Sequence, residues 1–516
     1  MQVVTDMPIQ IDGENLTVED IVLVSRQQRE AVLAESAKTG IEASREVIER
    51  VLQAGESVYG VNTGFGDLSQ VCIEPADIEQ LQVNLIRSHS VGVGGLLHPE
   101  IVRAMMLLRA NALAKGYSAV RKEVIESLLG MLNANVTPAV PEQGSVGSSG
   151  DLAPLAHMAL VVMGEGEAFI GDKIVSGQEA LKKAKLKPLR LQAKEGVALI
   201  NGTQCMSAIG ALVSHDAMNL VRDASIAASM SLEALRGTRA ALDERIHSVR
   251  PHEGQSDIAR ILRLLLGDSE INRSHVDCGK VQDAYSLRCI PQVLGASLDT
   301  IRYVRSILET EINSATDNPL VFAEDGSVVS GGNFHGQPVA LAMDFLGIAL
   351  SEIASIAERR INRLVNPNLS ELPAFLTTKG GLESGMMIAQ YTAAALVSEN
   401  KILAHPASVD SIPTSADQED HVSMGTIAAR KARKILENST NVVAIEYLCA
   451  AQGLELLAPL TTSDPLQRAL AAIRGQVKTL KDDRALYKDI SGIRDLMRSR
   501  SIVSAAEEIT GFLLEE

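Results

Sequence analysis

Apolar residues recur every three or four positions along most of the chain, a spacing that predicts α-helices with a buried face. One such segment runs from Arg26 to Leu52, and Thr17 is the expected N-cap of a helix that precedes it. Further helices are predicted at about 77–90, 99–115, 119–134, 153–164, 204–243, 281–314, 336–363, 384–404, 419–453 and 464–480. Several of these exceed the usual helix length of about 11–12 residues, which favours helices packed side by side in a bundle.

Strands are expected to be short and to lie between the helices. Residues 58–61 predict a strand before a glycine-punctuated loop at 62–66. Two hairpins are predicted, one turning at Gly171-Asp172 and one at Asp325-Gly326. We therefore expect a mainly α fold, with a smaller mixed N-terminal part at 1–205 and a long central helical bundle with C-terminal helices at 206–516.

Composition agrees with packed helices and narrows the range of partners. Aromatic residues make up 3% of the 516 residues and Trp is absent, so the core must be largely aliphatic. A formal net charge of −16 disfavours a nucleic-acid binder or an anionic-membrane binder, which needs a basic face. The chain begins without a basic segment followed by an apolar run, and we infer no transmembrane helix. We expect a cytoplasmic protein without nucleic-acid or membrane partners.

Cysteines and common motifs exclude several kinds of site. The five cysteines form no CxxC pair, which favours free thiols in a reducing compartment. The sequence has no GxxxxGK[ST] phosphate loop, no GxGxxG after a strand and no HExxH zinc motif. Histidines do not cluster at metal-ligand spacing, so no metal site is predicted.

Nine polar or glycine-rich breaks interrupt the helical pattern. They are YGVNTGFG (59–66), RSHSVGVGG (87–95), GSVGSSGDLAPLAH (144–157), INGTQ (200–204), QDAYSLRCIPQ (282–292), TDNP (316–319), SGGNFHGQP (330–338), ALVSENK (395–401) and DQEDHVSMG (417–425). Any one alone is more often an exposed loop without chemistry. Together they supply Tyr, Asn, Gln, Arg, His and Glu, which are the side chains of an acid–base site for a small polar substrate.

These segments, in this order from about 59 to 425, closely resemble the aromatic amino acid ammonia-lyases, and most of all the members specific for histidine. The resemblance implies a homotetramer whose active sites combine loops of several subunits. It also implies an electrophile made from the chain itself, 4-methylidene-imidazol-5-one, without any external cofactor. The family makes this group from Ala-Ser-Gly, which here corresponds to Ser148-Ser149-Gly150.

The cyclisation requires an unusual backbone. The amide nitrogen of Gly150 attacks the carbonyl carbon of Ser148, and loss of two waters turns Ser149 into a methylidene group. Amide nitrogens are poor nucleophiles, so the loop must be tightly bent, which Gly144 and Gly147 allow. Ser148 supplies only backbone atoms to the ring, and its hydroxyl has no assigned role. Asp151 is expected to be either a helix N-cap or a proton carrier during dehydration.

The resemblance also implies roles for individual residues. Tyr59 matches the catalytic base, whose pKa must be lowered from about 10 to take a proton. Arg288 matches the residue that binds the substrate carboxylate, a task suited to a bidentate guanidinium. The other matching positions are Asn201 and Tyr285, which line and polarise the cofactor, and the pocket residues Gln282 and Phe334.

The substrate expectation rests on three positions. Ser88-His89 resembles the histidine-specific pattern, whereas phenylalanine-specific relatives carry Phe-Leu and tyrosine-specific ones often His-Leu. Glu399 matches a carboxylate that binds imidazole and takes part in proton transfer, although a lone glutamate on a helix is usually solvated. We expect deamination of L-histidine to trans-urocanate. The alternatives are a phenylalanine or tyrosine ammonia-lyase or aminomutase of the same family, and a catalytically inactive helical scaffold.

Overall fold

The computed structural model describes residues 7–514 apart from 56, 65, 277, 278 and 280, and leaves out the side chains of residues 67 and 69. Among the cysteines, Cys278 lies outside the described residues. By its internal packing the chain divides into two compact units, each built from separate segments. The first unit contains the described residues up to Val213, Arg305–Asp344 and Pro406–Arg430; the second contains Ser214–Val304, Phe345–His405 and the residues from Lys431 onward. The division into 1–205 and 206–516 stays a prediction.

Helices dominate the described chain, which confirms the mainly α fold. They are α1 Val18–Gln27, α2 Glu35–Ala54, α3 Ile78–His89, α4 Pro99–Ala114, α5 Lys122–Asn133, α6 Leu152–Val162, α7 Gly177–Lys183, α8 Glu195–Ile200, α9 Gln204–Ala234, α10 Glu244–Ser248, α11 Glu253–Leu266, α12 Glu270–Arg273, α13 Tyr285–Arg288, α14 Ile290–Glu311, α15 Gln337–Val365, α16 Pro367–Ser370, α17 Met387–Leu403, α18 Gly425–Leu456, α19 Asp464–Gln476, α20 Tyr487–Arg498 and α21 Ser501–Thr510. Short 3₁₀ helices occupy Gly66–Gln70, Pro75–Asp77, Ala240–Leu242 and Ala374–Leu376.

The strands are short and form small separate sheets. They are β1 Ile9–Ile11, β2 Ala31–Leu33, β3 Val93–Leu96, β4 Thr137–Pro138, β5 Pro141–Gln143, β6 Glu167–Ile170, β7 Lys173–Ser176, β8 Leu320–Phe322 and β9 Ser327–Val329. Strands β1 and β2 pair in parallel, whereas β3–β5, β4–β6, β6–β7 and β8–β9 pair antiparallel. The β6–β7 and β8–β9 pairs confirm the two predicted hairpins.

The first predicted helices are partly right. Thr17 caps α1 in a reciprocal arrangement, since its side chain accepts from the backbone N–H of Asp20 while the Asp20 carboxylate accepts from the N–H of Thr17. The continuous helix predicted from Arg26 is wrong, because Gln28 takes a left-handed conformation with φ 57° and ends α1. The chain then extends through β2, where β1 offers backbone partners, before α2 begins at Glu35.

The strand predicted at 58–61 is also wrong. The backbone turns there, with Gly60 at φ 74°, and the N–H groups of Val61 and Asn62 both donate to the Val58 carbonyl. This turn places Tyr59 on a loop. Pro319 and Val197 lie 3.4 Å from where a Cβ on Gly60 would stand, so the loop is closely packed.

Each unit has its own buried helix. In the first unit every residue of α4 from Ile101 to Ala114 is buried, including Arg109. In the second unit residues 442–451 of α18 are all buried. Helix α15 is long and apolar enough to span a membrane by length and composition, but 67% of its most apolar window is buried inside the protein.

Candidate functional site

The loop between β5 and α6 has the tight backbone that the sequence predicts. Gly147, Ser149 and Gly150 all have positive φ, at 74°, 49° and 78°. Such conformations suit glycine and are unfavourable for a side chain such as that of Ser149. At Gly150 no other residue fits, because a Cβ there would overlap the Gly202 carbonyl.

The segment that begins at Asn201 holds this loop from one side. The N–H of Gly202 donates to the Ser149 carbonyl at 3.2 Å, and the N–H of Asp151 donates to the Gly202 carbonyl at 2.7 Å. Asn201 itself is 2% exposed. The predicted cofactor triad and Asn201 are therefore neighbours in the first unit.

A carboxylate that the sequence interpretation missed lies against the triad. Ser148 donates its hydroxyl hydrogen to Glu419 Oε2, and Ser149 donates to Glu419 Oε1 at 3.2 Å. Thr414 donates to Oε2 as well, at 3.0 Å. Glu419 lies in the predicted DQEDHVSMG break, but between Gln418 and Asp420 it resembles an ordinary solvated charge. The position of Glu419 within that break was the one feature of the sequence that could have indicated a role in the site.

The Asp151 side chain caps a different helix from the one that follows it in sequence, and its role as a proton carrier stays a prediction. It occupies the N-cap position of α6, but its side chain does not cap that helix. Instead Oδ2 accepts from the N–H groups of Cys205 and Met206, both at 2.9 Å, in the first turn of α9. Oδ1 accepts from Thr426 and, at 3.4 Å, from Ser145. Burial raises the pKa of the Asp151 carboxyl to about 6, while these donors oppose the shift.

Tyr59 lies half-buried on its loop, and its hydroxyl accepts from the N–H of Gly66 at 3.5 Å. Burial raises the pKa of the Tyr59 phenol, and the negative charge of Glu419 raises it further. The Gly66 hydrogen bond acts in the opposite direction. Burial and the negative charge of Glu419 thus act against the lowered pKa expected of a base.

His89 ends α3 with its ring in a defined tautomer. Nδ1 lies 2.8 Å from the Leu85 carbonyl, which only accepts, so Nδ1 carries the hydrogen. Burial lowers the pKa of His89, against the Leu85 hydrogen bond and the charge of Glu419. The neutral ring therefore keeps Nε2 as an acceptor. The adjacent Ser88 donates to the same carbonyl at 3.0 Å and is exposed.

Phe334 is half-buried in the loop before α15. Its neighbour His335 stacks on His421, with ring centroids 5.9 Å apart, and His335 Nε2 lies 3.2 Å from the His421 carbonyl. This contact connects the predicted SGGNFHGQP and DQEDHVSMG breaks.

The remaining predicted site residues lie in the second unit. The Arg288 guanidinium lies over the Tyr285 ring, 4.7 Å from its centroid, and Tyr285 is 71% exposed. Gln282 is exposed just before α13. Glu399 is exposed on α17, where Asn438 donates to it at 3.5 Å. The structure thus gathers Tyr59, His89, Asn201 and the triad in one unit, and Tyr285 with Arg288 in the other.

Comparisons with known proteins cover nearly the whole chain. The family described as aromatic amino acid lyase matches residues 16–475. The histidine ammonia-lyase of Caldanaerobacter subterraneus subsp. tengcongensis is 57% identical over 505 residues, covering 98% of this chain and 99% of the relative. That of Alkaliphilus oremlandii is 56% identical over 500 residues, covering 97% and 98%.

Solved structures give the same result for the fold. Histidine ammonia-lyase from Trypanosoma cruzi is similar with a TM-score of 0.90 and 46% identity, covering 98% of this chain and 95% of that one. Tyrosine aminomutase from Streptomyces globisporus is similar with a TM-score of 0.94 and 40% identity, covering 99% and 100%. The resemblance stated from the sequence is confirmed, and the chain belongs to the aromatic amino acid lyase family.

Proposed function

We propose that this lyase removes ammonia from L-histidine and releases trans-urocanate, using an electrophile formed from Ser148, Ser149 and Gly150. The relatives named histidine ammonia-lyase, at 51–57% identity over almost the full chain, support the reaction. The observation in this chain that favours a substrate ring with a hydrogen-bond donor is the 2.8 Å contact of His89 Nδ1 with the Leu85 carbonyl, which leaves Nε2 as an acceptor. A neutral ring with Nε2 as an acceptor fits a substrate whose ring offers an N–H.

The geometry of the loop favours cyclisation. Ring closure forms a bond between the Gly150 nitrogen and the Ser148 carbonyl carbon, and the Ser148 carbonyl oxygen leaves as water with the amide hydrogens of Gly150 and Ser149. Ser149 loses its Cα hydrogen and its hydroxyl as the second water. The positive φ values of Ser149 and Gly150 and the close approach of Gly202 bend the backbone as this step requires.

Glu419 and Asp151 are placed for the proton transfers of this dehydration. Glu419 accepts from the very hydroxyl that Ser149 must lose. Asp151, whose carboxyl has a pKa of about 6, exchanges protons readily near neutral pH. The residues present therefore fit the group that the family forms. Once formed, it supplies an electrophile that makes the amino group or the β-hydrogen of the substrate easier to remove.

The other residues bind and orient the amino acid. Arg288 binds the carboxylate; its guanidinium is already held over Tyr285, and its buried Nε has no partner among the described residues. Tyr285 and Asn201 line the cofactor, with Gln282 and Phe334 as further pocket positions. Tyr59 takes the β-proton, and Glu399 binds the imidazole of the substrate.

A homotetramer with shared active sites, which the family resemblance implies, would place further charged groups near Tyr59. Within one chain, burial and Glu419 raise the pKa of its phenol, which is the wrong direction for a base. A cation supplied by a loop of a neighbouring subunit would lower it. We therefore propose that the complete site combines residues of several copies of this chain, in the cytoplasm, without nucleic-acid or membrane partners.

Tyrosine is the second candidate substrate. The His89 Nε2 acceptor also fits a phenol O–H, and the tyrosine aminomutase similarity reaches 40% identity. Phenylalanine fits less well, because its ring would leave the His89 acceptor unpaired at a cost of about 1–3 kcal/mol.

The test is turnover by purified protein of each amino acid separately, monitored by the absorbance of the conjugated product. Histidine should give urocanate and free ammonia. Turnover of tyrosine or phenylalanine without turnover of histidine would overturn the assignment of histidine as the substrate. The intact mass of the protein is measured in parallel and compared with that of Ser149→Ala, after correction for the substitution. A deficit of two waters supports the cofactor, and a mass without this deficit contradicts it.

A further inference from the structure

An ion pair is completely buried in the first unit, close to the cofactor triad. Lys194 Nζ lies 2.5 Å from Asp317 Oδ2, and the two side chains are 0% and 1% exposed. Burying two charges costs free energy that their attraction recovers only in good geometry. Burial lowers the pKa of the Lys194 ammonium, while the charge and hydrogen bond of Asp317 oppose this. Such a pair is a weak source of stability, so its contacts suggest another purpose.

The second oxygen of Asp317 reaches Asn201. Asn201 Nδ2 donates to Asp317 Oδ1 at 3.4 Å and to the Asn318 carbonyl at 3.1 Å. Both partners only accept, so the amide NH₂ must face them. Oδ1 of Asn201 is thereby turned the other way, where it is buried without a partner among the residues the structure describes. An unpaired buried acceptor is unfavourable unless a ligand supplies a donor.

The backbone of Asn201 is fixed as firmly as its side chain. The fully buried Arg109 donates through Nη1 to the Asn201 carbonyl and to Gln204 Oε1, both at 2.8 Å. The next residue, Gly202, holds Ser149 and Asp151 by backbone hydrogen bonds. The free Oδ1 therefore belongs to a rigid residue directly beside the triad.

We propose that Lys194 and Asp317 are positioning residues that hold the Asn201 amide in one orientation, so that its Oδ1 accepts an N–H of the substrate's amino group. The proposal rests on the proposed amino acid lyase function and adds a recognition element for the amine. Lys194 bonds one oxygen of Asp317. The other oxygen accepts from the backbone N–H of Asn318 at 2.7 Å and also orients Asn201. An amide turned the opposite way would present NH₂ and repel an ammonium group.

Substituting Asp317→Asn tests this orientation. Lys194 is the only charged donor to Asp317 among the described residues, and charge-assisted hydrogen bonds are the stronger ones, so the oxygen of the new amide faces Lys194. The new NH₂ then faces the Asn201 NH₂ and the backbone N–H of Asn318. The two orientations of the Asn201 side-chain amide then compete, and Oδ1 is no longer held toward the substrate. Binding of L-histidine is measured by calorimetry in the full-length Ser149→Ala background, where no turnover occurs. We expect the Kd to rise about tenfold, as for one lost charge-assisted hydrogen bond.

A double-substitution cycle with Asn201→Ala separates positioning from mere packing. If Asp317 acts through Asn201, Asp317→Asn should change the Kd by less than about twofold once Asn201 is alanine. An equal loss in both backgrounds would overturn the proposal. If Asp317→Asn fails to fold, Lys194→Arg provides a second cycle, because it keeps the cation but changes its shape. We expect the same coupling between Lys194→Arg and Asn201→Ala.

Glu195→Gln is the matched control. It neutralises the neighbouring buried carboxylate, which pairs with Arg121 at 2.7 Å and makes no hydrogen bond to Asn201 in the part of the chain that the structure describes. It should lower the melting temperature without changing the Kd; a rise in Kd equal to that of Asp317→Asn would count against the proposal. Failure of the Ser149→Ala protein to bind histidine at all would instead contradict the proposed function.

Discussion

Ser148 donates its hydroxyl hydrogen to the carboxylate of Glu419, which also accepts from Ser149 and Thr414. The residue that departs from the Ala-Ser-Gly pattern of the family thus bonds a carboxylate beside the reactive serine. This contact gives the additional hydroxyl a physical task. It fixes Glu419 next to the β-hydroxyl that the chain must lose.

Substituting Ser148→Ala should leave the cofactor intact but weaken turnover. Ring closure uses only backbone atoms of this residue, so the mass deficit of two waters should persist. Loss of one hydroxyl donor to a carboxylate should lower kcat/KM for histidine about tenfold. Ser148→Thr, which keeps the hydroxyl, is the matched variant and should retain more activity. Equal kcat/KM for wild type and Ser148→Ala would contradict the role.

The two glutamates should respond differently to neutralisation. Glu419→Gln removes the charge that bonds the triad and should lower kcat about a hundredfold, the loss typical of an acid–base group. Glu399→Gln should mainly raise KM for histidine, because the resemblance gives Glu399 contact with the imidazole. Separate measurement of kcat and KM for both variants checks this. A larger kcat loss in Glu399→Gln than in Glu419→Gln would reverse the assignment.

His89 should determine the preference for a ring that donates a hydrogen bond. His89→Phe removes the Nε2 acceptor and should lower kcat/KM for histidine about ten- to a hundredfold, while turnover of phenylalanine rises. Ser88→Ala is the comparison at the other position of the predicted pair. Because Ser88 is exposed and donates to the Leu85 carbonyl, its loss should change kcat/KM less than the loss of His89. Activities on histidine, tyrosine and phenylalanine are compared for each variant. Unchanged preference in His89→Phe would exclude the residue from recognition.

Sequence periodicity predicted most of the helices because their apolar spacing reflects burial, as in α3, α4 and α15. It failed at Gln28, where a left-handed residue ends α1 and a parallel partner strand is available only in three dimensions. It failed again at 58–61, where apolar residues pack in a turn. Propensity describes local preference, and tertiary contacts override it in both places.

The site was less predictable than the fold. The glycine- and serine-rich segment of the triad stands out in the sequence, but the cofactor role of the triad and the binding role of His89 are implied only by the resemblance to the family. Glu419 and the contact of Asp151 with α9 do not follow from the sequence, since each depends on segments far apart in the chain. The partners of a carboxylate, not its neighbours in sequence, decide whether it is a solvated charge or part of a site.

Asp151→Asn should separate cofactor formation from folding. The substituted amide keeps an oxygen that can accept from Cys205 and Met206, so α9 stays capped. It does not take up a proton as a carboxylate does. If Asp151 carries protons during dehydration, the variant should fold but keep its full mass or mature slowly. Time-resolved intact-mass measurement checks this. If the variant loses two waters at the rate of the wild type, the only role left for Asp151 is to cap α9.

The same variant should change how stability depends on pH. In the folded chain the pKa of Asp151 is raised from 3.8 to about 6, so its contribution to stability is complete below about pH 4 and is lost as pH rises through 6. Asp151→Asn should therefore gain stability over wild type across this window, by up to about 3 kcal/mol. Asp223, whose pKa burial raises to about 8, provides the control: the gain from Asp223→Asn should continue to grow up to that pH. Urea unfolding of the three proteins across this pH range measures both differences. A difference between Asp151→Asn and wild type that stays constant with pH would mean that the buried carboxyl does not titrate in this window.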